Sequence, residues 1–320
     1  MGVKGRVGQR NAPTILNALY NKKQFWDGRA TTLEDQAQFP ITNPSEMGQP
    51  NLSAAVVKIA AIPEYQEAFH KVFGQAPDGL NLVGAIAAYE RTLISFDSPF
   101  DRFLAGDQNA IDASAKRGWE LFHPKAHCDR CHAVVNMDVT YFTDFDFHNI
   151  GIGILRHNVV QMAEKAERLM EKGNLPAIDS AAIATDLSVL GRFLVTRKAA
   201  DIASFKTPNL RNVLVTAPYF HDGSQSTLWD AMDHYNKGDG IKDPWLDDKI
   251  QPLALTEEEI DDVVAFLASL TSADYRETGD KELARQRALS RASRTHRDTA
   301  RAFGPRPVQP KAPPLPFLKR

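Results

Sequence analysis

Apolar positions along the chain recur mainly at helical spacing, and no run alternates in the manner of a strand or repeats internally. Leu82 to Phe96 predicts a helix, because Val83, Ile86, Ala87, Leu93 and Ile94 share one face, with Glu90 the charged interruption of that stripe. Thr256-Glu257-Glu258-Glu259 is a capping box, and Ile260, Val263, Val264, Leu267 and Leu270 continue from it at the spacing of a second helix. The pattern therefore predicts an all-α protein with long loops, in which these two helices close successive domains. Between about residues 155 and 185 runs a polar, helix-prone stretch with Met162, Glu164, Glu167, Leu169 and Met170, ended by Gly173-Asn174 and Pro176; it reads as a surface insertion. Beyond Ser272 come arginine-rich helix formers and then Pro305, Pro307, Pro310, Pro313, Pro314 and Pro316, which sustain neither helix nor sheet. Residues 273–320 thus read as a flexible tail, most simply a solvated basic one.

A chain of 320 residues is long enough for two domains with their own cores. Hydrophobic content of 43%, charged content of 24% and a net charge of -2 are those of a globular protein with no call for a nucleic-acid partner. No apolar run reaches bilayer length, and the opening Met1-Gly2-Val3-Lys4-Gly5-Arg6 has no signal-peptide core. The cysteines are Cys128 and Cys131 alone, too few and too close for a disulfide scaffold. Their pairing calls for a chemical explanation.

Cys128-Asp129-Arg130-Cys131-His132 is the C-x-x-C-H pattern of c-type haem attachment: two thiols add to the vinyl groups, and the next histidine ligates the iron from one face. A thioredoxin-like redox pair would need a strand-helix-strand setting that Ala113 to Phe122 does not supply. Zinc on His127, Cys128, Cys131 and His132 would strain the tetrahedron, since each histidine adjoins a cysteine.

Around this motif lie Arg10-Asn11-Ala12-Pro13-Thr14, Phe25-Trp26-Asp27-Gly28-Arg29, Ile41-Thr42-Asn43-Pro44-Ser45-Glu46-Met47, Phe147-His148-Asn149-Ile150-Gly151, Phe205-Lys206-Thr207-Pro208 and Thr216-Ala217-Pro218-Tyr219-Phe220-His221-Asp222-Gly223. In this order, from about residue 5 to 272, they resemble the bacterial di-haem cytochrome c peroxidase and MauG family. The resemblance implies two cytochrome c-like helical domains, each with a haem c, and calcium between them. Residues 1–105 would be the remnant of the N-terminal, peroxide-reducing domain, and 106–272 the C-terminal haem domain carrying the insertion.

On the same resemblance Trp26 relays electrons between haems, while Gln36 and Glu46 line the peroxide pocket, with Glu46 as acid/base because O–O cleavage needs a proton moved between oxygens. The Asn11 side chain and the carbonyls of Thr216 and Pro218 would hold calcium, a hard cation that prefers oxygen donors. Tyr235, in His234-Tyr235-Asn236-Lys237-Gly238, stands where the family places the distal ligand of the C-terminal haem: tyrosine in MauG-like members, methionine in classical peroxidases. A phenolate favours higher iron oxidation states, whereas the thioether of nearby Met232 would raise the potential. Implied partners are hydrogen peroxide and a small electron donor, cytochrome c or cupredoxin, or a protein substrate; a homodimer is compatible, and the expected location is the periplasm.

The family's first C-x-x-C-H should lie just upstream of Arg10, yet none precedes it here. The expectation is an upstream start that brings an export signal and the second haem; the competing reading is a single-haem electron-transfer module. Plainer roles also stand: Trp26 as a core aromatic, Tyr235 as a helix-surface residue, Glu46 as a loop carboxylate, and His148 and His221 as turn histidines satisfied by backbone.

Overall fold

The computed structural model describes residues 1–134, 140–154, 158–171, 175–238 and 243–294. It is mostly helical, as the apolar periodicity predicts. In chain order the helices are α1 (Leu33–Thr42), α2 (Leu52–Ala60), α3 (Pro63–Phe73), α4 (Gly79–Thr92), α5 (Pro99–Leu104), α6 (Ala113–Phe122), α7 (Val159–Glu171), α8 (Leu175–Ala184), α9 (Phe193–Thr196), α10 (Leu228–Lys237), α11 (Glu257–Ser269) and α12 (Arg276–Arg294). Two short strands, β1 (Phe147–His148) and β2 (Phe205–Lys206), pair antiparallel, with Phe147 opposite Lys206 and His148 opposite Phe205.

The described residues group into two compact units, one within Met1–Ile94 and Asn158–Asp201, the other within Ser95–His157 and Ile202–Pro316. These limits differ from the sequence-based boundaries in two places. The stretch read as an insertion supplies α7 and α8 to the first unit, and α12, read as tail, packs in the second. The proline-rich part of the tail lies outside the described residues.

In the first unit, polar caps set the helix starts. Thr32 Oγ1 accepts the Asp35 N–H at 3.0 Å, Asn51 Oδ1 that of Ala54 at 2.9 Å, and Asp78 Oδ1 that of Asn81 at 2.8 Å, each satisfying an otherwise orphaned donor. Packing of α1 with α4 buries Leu33, Ala37, Ile41, Leu82, Val83 and Ala87. The stripe read over 82–96 is helical only to Thr92: Leu93 leaves the helix and Ile94 is 49% exposed, while Glu90 is buried. The face of α7 formed by Val159, Met162, Ala163 and Ala166 is buried too, with α7 packed on the 3₁₀ turn Asp186–Leu190.

The second unit is built on the crossing of α6 and α11. The capping box is present, with Thr256 Oγ1 accepting from Glu259 N–H and Glu259 Oε2 accepting from Thr256 N–H. Phe100, Phe122, Phe142 and Phe266 are at most 1% exposed and join Trp119 in an aromatic cluster. Burial of each such ring stabilises the fold by roughly 1.5–3 kcal/mol. Arg211 ties the loop after β2 to α5, with a two-pronged ion pair to Asp101 at 2.7 and 2.8 Å and a hydrogen bond to the Thr140 carbonyl at 2.7 Å.

Candidate haem site

Just past α6 the chain turns sharply: His127 takes a left-handed conformation (φ 50°), and Cys128–Arg130 form one 3₁₀ turn. The N–H groups of Cys131 and His132 both bond to the Cys128 carbonyl, at 3.3 and 2.8 Å. One turn of backbone therefore holds both thiols and the histidine. Nδ1 of His132 lies 2.9 Å from the Phe142 carbonyl, a hydrogen bond that fixes the orientation of the ring. Burial lowers the pKa of His132, favouring the neutral imidazole that a metal requires.

Burial also pushes the Cys128 thiol up to about 12, the reverse of the activation that a thioredoxin-like nucleophile needs. The candidate zinc set of His127, Cys128, Cys131 and His132 does not come together. Among the described residues, the metal-type donors gathered within 4.8 Å of one another are Cys131, Asp144 and His148.

Tyr235 sits in the last turn of α10, edge-on to Phe220 (centroids 5.8 Å apart) and His234 (5.4 Å). Its hydroxyl is shifted above the usual phenol range, chiefly by burial and then by the proximity of Cys131 and Cys128. The phenol thus lies near enough to the two partly exposed thiols for their charges to act on it. Met232, one turn earlier, is 5% exposed within the apolar core of this unit. Two thiols, an imidazole whose neutral form burial favours, and a phenol form a donor set that fits a covalently attached c-type haem.

The other candidates lie elsewhere. Trp26 is on a loop of the first unit and donates from Nε1 to the Asn11 carbonyl at 2.8 Å. Beside it Asp27, fully buried, pairs with Arg10 at 2.5 Å and Arg29 at 3.1 Å, and Arg192 Nη1 bonds the carbonyls of Asp27 and Gly28. Gln36 lies in α1, and Glu46 in the turn that leaves it, where Asn43 accepts the N–H groups of Ser45, Glu46 and Gly48. Packing of Phe25 edge-on against Phe39 (centroids 5.5 Å apart) joins the Trp26 loop to α1, so these three residues belong to one folded piece. Thr216 Oγ1 donates to the Val213 carbonyl, and Pro218 follows a cis peptide bond. Asn11 belongs to the first unit, Thr216 and Pro218 to the second.

His221 is buried and stacks on Phe205 with ring centroids 3.5 Å apart. His148 has carboxylate partners instead of the backbone ones expected of a turn histidine: Nε2 meets Asp144 at 2.8 Å and Nδ1 meets Asp247 at 2.6 Å. Neither carboxylate stood out in the sequence, since Asp247 is 99 positions from the histidine and only the i,i+4 spacing of Asp144 hints at a pair.

A helical unit with this attachment loop has the form of a c-type cytochrome. Residues 1–109 match the family model for di-haem cytochrome c peroxidase. The chain is 37% identical to the methylamine utilization protein MauG of Methylorubrum extorquens, over 82% of this chain and 64% of that protein. It is 36% identical to the cytochrome-c peroxidase IdrP1 of Denitromonas iodatirespirans, over 85% of this chain and 71% of that one. Among solved structures, a MauG-like protein associated with microbial copper homeostasis superposes with a TM-score of 0.67 at 28% identity, over 85% of this chain and 78% of that chain. The chain belongs to the di-haem cytochrome c peroxidase and MauG family. It spans 52% of the cytochrome c peroxidase Ccp of Escherichia coli, about half that relative's length. Among the described residues no helix is long and apolar enough to cross a membrane.

Proposed function

We propose that the chain is part of a c-type haem oxidoreductase that reduces hydrogen peroxide, with haem c attached through Cys128 and Cys131 and ligated by His132 and Tyr235. The observation that carries this reading is the imidazole of His132, anchored by the Phe142 carbonyl on the same turn as the two thiols. When bound, the haem supplies a one-electron store fed from outside the protein. The protein's own part is to orient the imidazole through the Phe142 carbonyl, and the Tyr235 phenol would be a further oxygen donor to the group.

In this reading residues 1–105 are the remnant of the peroxide-reducing domain and 106–272 the haem domain, with a second haem on the longer protein. Glu46 moves a proton from one peroxide oxygen to the other, Gln36 lines the pocket, and Trp26 carries electrons. Calcium is held by oxygens of Asn11, Thr216 and Pro218. Electrons come from a small cytochrome c or cupredoxin, or from a residue of a protein substrate, in the periplasm.

Tyr235→Phe should leave the haem attached and change its axial-ligand absorption bands; an unchanged spectrum would sink the Tyr235 assignment. In the full-length protein, Glu46→Gln should slow the peroxide-dependent spectral change by about 10²-fold or more at unaltered haem content. Undiminished peroxide reactivity would remove Glu46 from the chemistry.

A further inference from the structure

One buried group beside the attachment loop has no part in this scheme. His148 is 8% exposed, and both its ring nitrogens are engaged by carboxylates. Burial opposes its charge, but hydrogen bonds to Asp144 and Asp247, with a further one to Cys131, outweigh it and raise its pKa, which favours the imidazolium.

The two carboxylates come from different stretches of chain. Asp144 follows the attachment loop, and its N–H donates to the Cys131 carbonyl at 2.8 Å. Asp247 follows α10, and its N–H donates to the Asn149 carbonyl at 3.0 Å. Neighbouring bonds repeat the connection: Asn149 Nδ2 reaches Asp243 at 2.9 Å, and Nε2 of His234, the residue before Tyr235, lies 2.8 Å from the Ile150 carbonyl. Lys249 Nζ in turn donates to the Arg130 carbonyl at 3.3 Å.

We propose that His148 is a positioning residue of the haem site, joining Asp144, which is bonded to Cys131, to Asp247, so that the turn carrying His132 and the end of α10 carrying Tyr235 keep one register. The inference rests on the haem reading of Cys128, Cys131 and His132. It has an electrostatic consequence: the His148 cation offsets two carboxylates next to Cys131, and its loss leaves the surroundings more negative, which favours ferric over ferrous iron.

The test uses the full chain matured with its haem, comparing wild type with His148→Ala and Asp247→Asn. The readouts are the axial-ligand spectrum and the midpoint potential, recorded alongside thermal unfolding. The expected result for His148→Ala is a lowered potential and an altered axial signature, both restored by millimolar imidazole, whereas Asp247→Asn, which removes a carboxylate and keeps the cation, should alter the axial signature with a raised potential. Wild-type spectrum and potential in the variants, with only the unfolding temperature reduced, would overturn the inference and leave the bridge a purely structural one. Should His148→Ala not fold, Asp247→Asn decides by the same two readouts. Absence of covalent haem from the wild-type chain would instead overturn the haem reading itself, and this inference with it.

Discussion

Gly118 is the residue on which the second unit's central helix crossing depends. A Cβ added there would lie 1.9 Å from the Asp262 carbonyl oxygen, 2.5 Å from its carbon and 2.9 Å from Phe266 Cβ. Two of these atoms are helix backbone, which cannot swing aside as a side chain would. Since ordinary contact needs about 3.5 Å, α6 and α11 would have to part by roughly 1.5 Å, and gaps of 0.5–1 Å already forfeit a quarter to a half of each contact's attraction. Phe122, Val263 and Phe266 line this region at no more than 1% exposure, so the loss falls on the core. Against it stands the intrinsic helix preference for alanine over glycine, about 1 kcal/mol. Overpacking of this kind costs roughly 1–3 kcal/mol, and the backbone clash places Gly118→Ala toward the upper end, for a net loss of about 1–2 kcal/mol. Urea unfolding followed by far-ultraviolet circular dichroism measures it as a lower midpoint at unchanged slope. Gly84→Ala in α4, where nothing lies within 4 Å of an added Cβ, is the control and should gain up to about 1 kcal/mol. Stability of Gly118→Ala equal to or above wild type would refute the close-approach argument.

Asp27→Asn should cost about 3–5 kcal/mol, because it leaves Arg10 and Arg29 as buried cations without their counter-ion. Burial raises the Asp27 pKa but the two arginines outweigh it and hold it below the ordinary carboxylate value, so its contribution is present above about pH 4 and is lost as pH falls through the folded-state value. Denaturation midpoints between pH 2 and pH 6 should therefore fall more steeply toward acid in wild type than in the variant; parallel curves would contradict the pairing. Gln286→Leu should destabilise the second unit by about 1–3 kcal/mol, since the Leu228 N–H and Tyr219 hydroxyl lose a buried partner. An unchanged unfolding temperature would mean that α12 does not dock as described.

How far the sequence revealed this molecule depends on how local each feature is. The capping box and apolar stripe of α11 lie within fifteen consecutive residues, Thr256 to Leu270, and both were legible. The end of α4 is not legible in the sequence, because Leu93 and Ile94 continue the apolar spacing although the backbone has left the helix. On α7 the buried face sets Val159 and Met162 beside two alanines, Ala163 and Ala166, and a buried Glu167, so a polar sequence conceals it. The docking of α12 rests partly on Gln286, fully buried yet indistinguishable by residue type from a solvated position. In the haem site the contiguous Cys128, Cys131 and His132 declare themselves by spacing. Phe142 contributes only a carbonyl, and the His148 bridge joins residues 99 positions apart, so no local pattern could carry either.

The central claim is the covalent haem, and a pyridine haemochrome assay tests it most directly, on this chain produced with c-type haem-attachment machinery. The account predicts one haem per polypeptide, abolished by replacing Cys128 and Cys131 together with serine. A chain that folds under those conditions without covalently bound haem would contradict it.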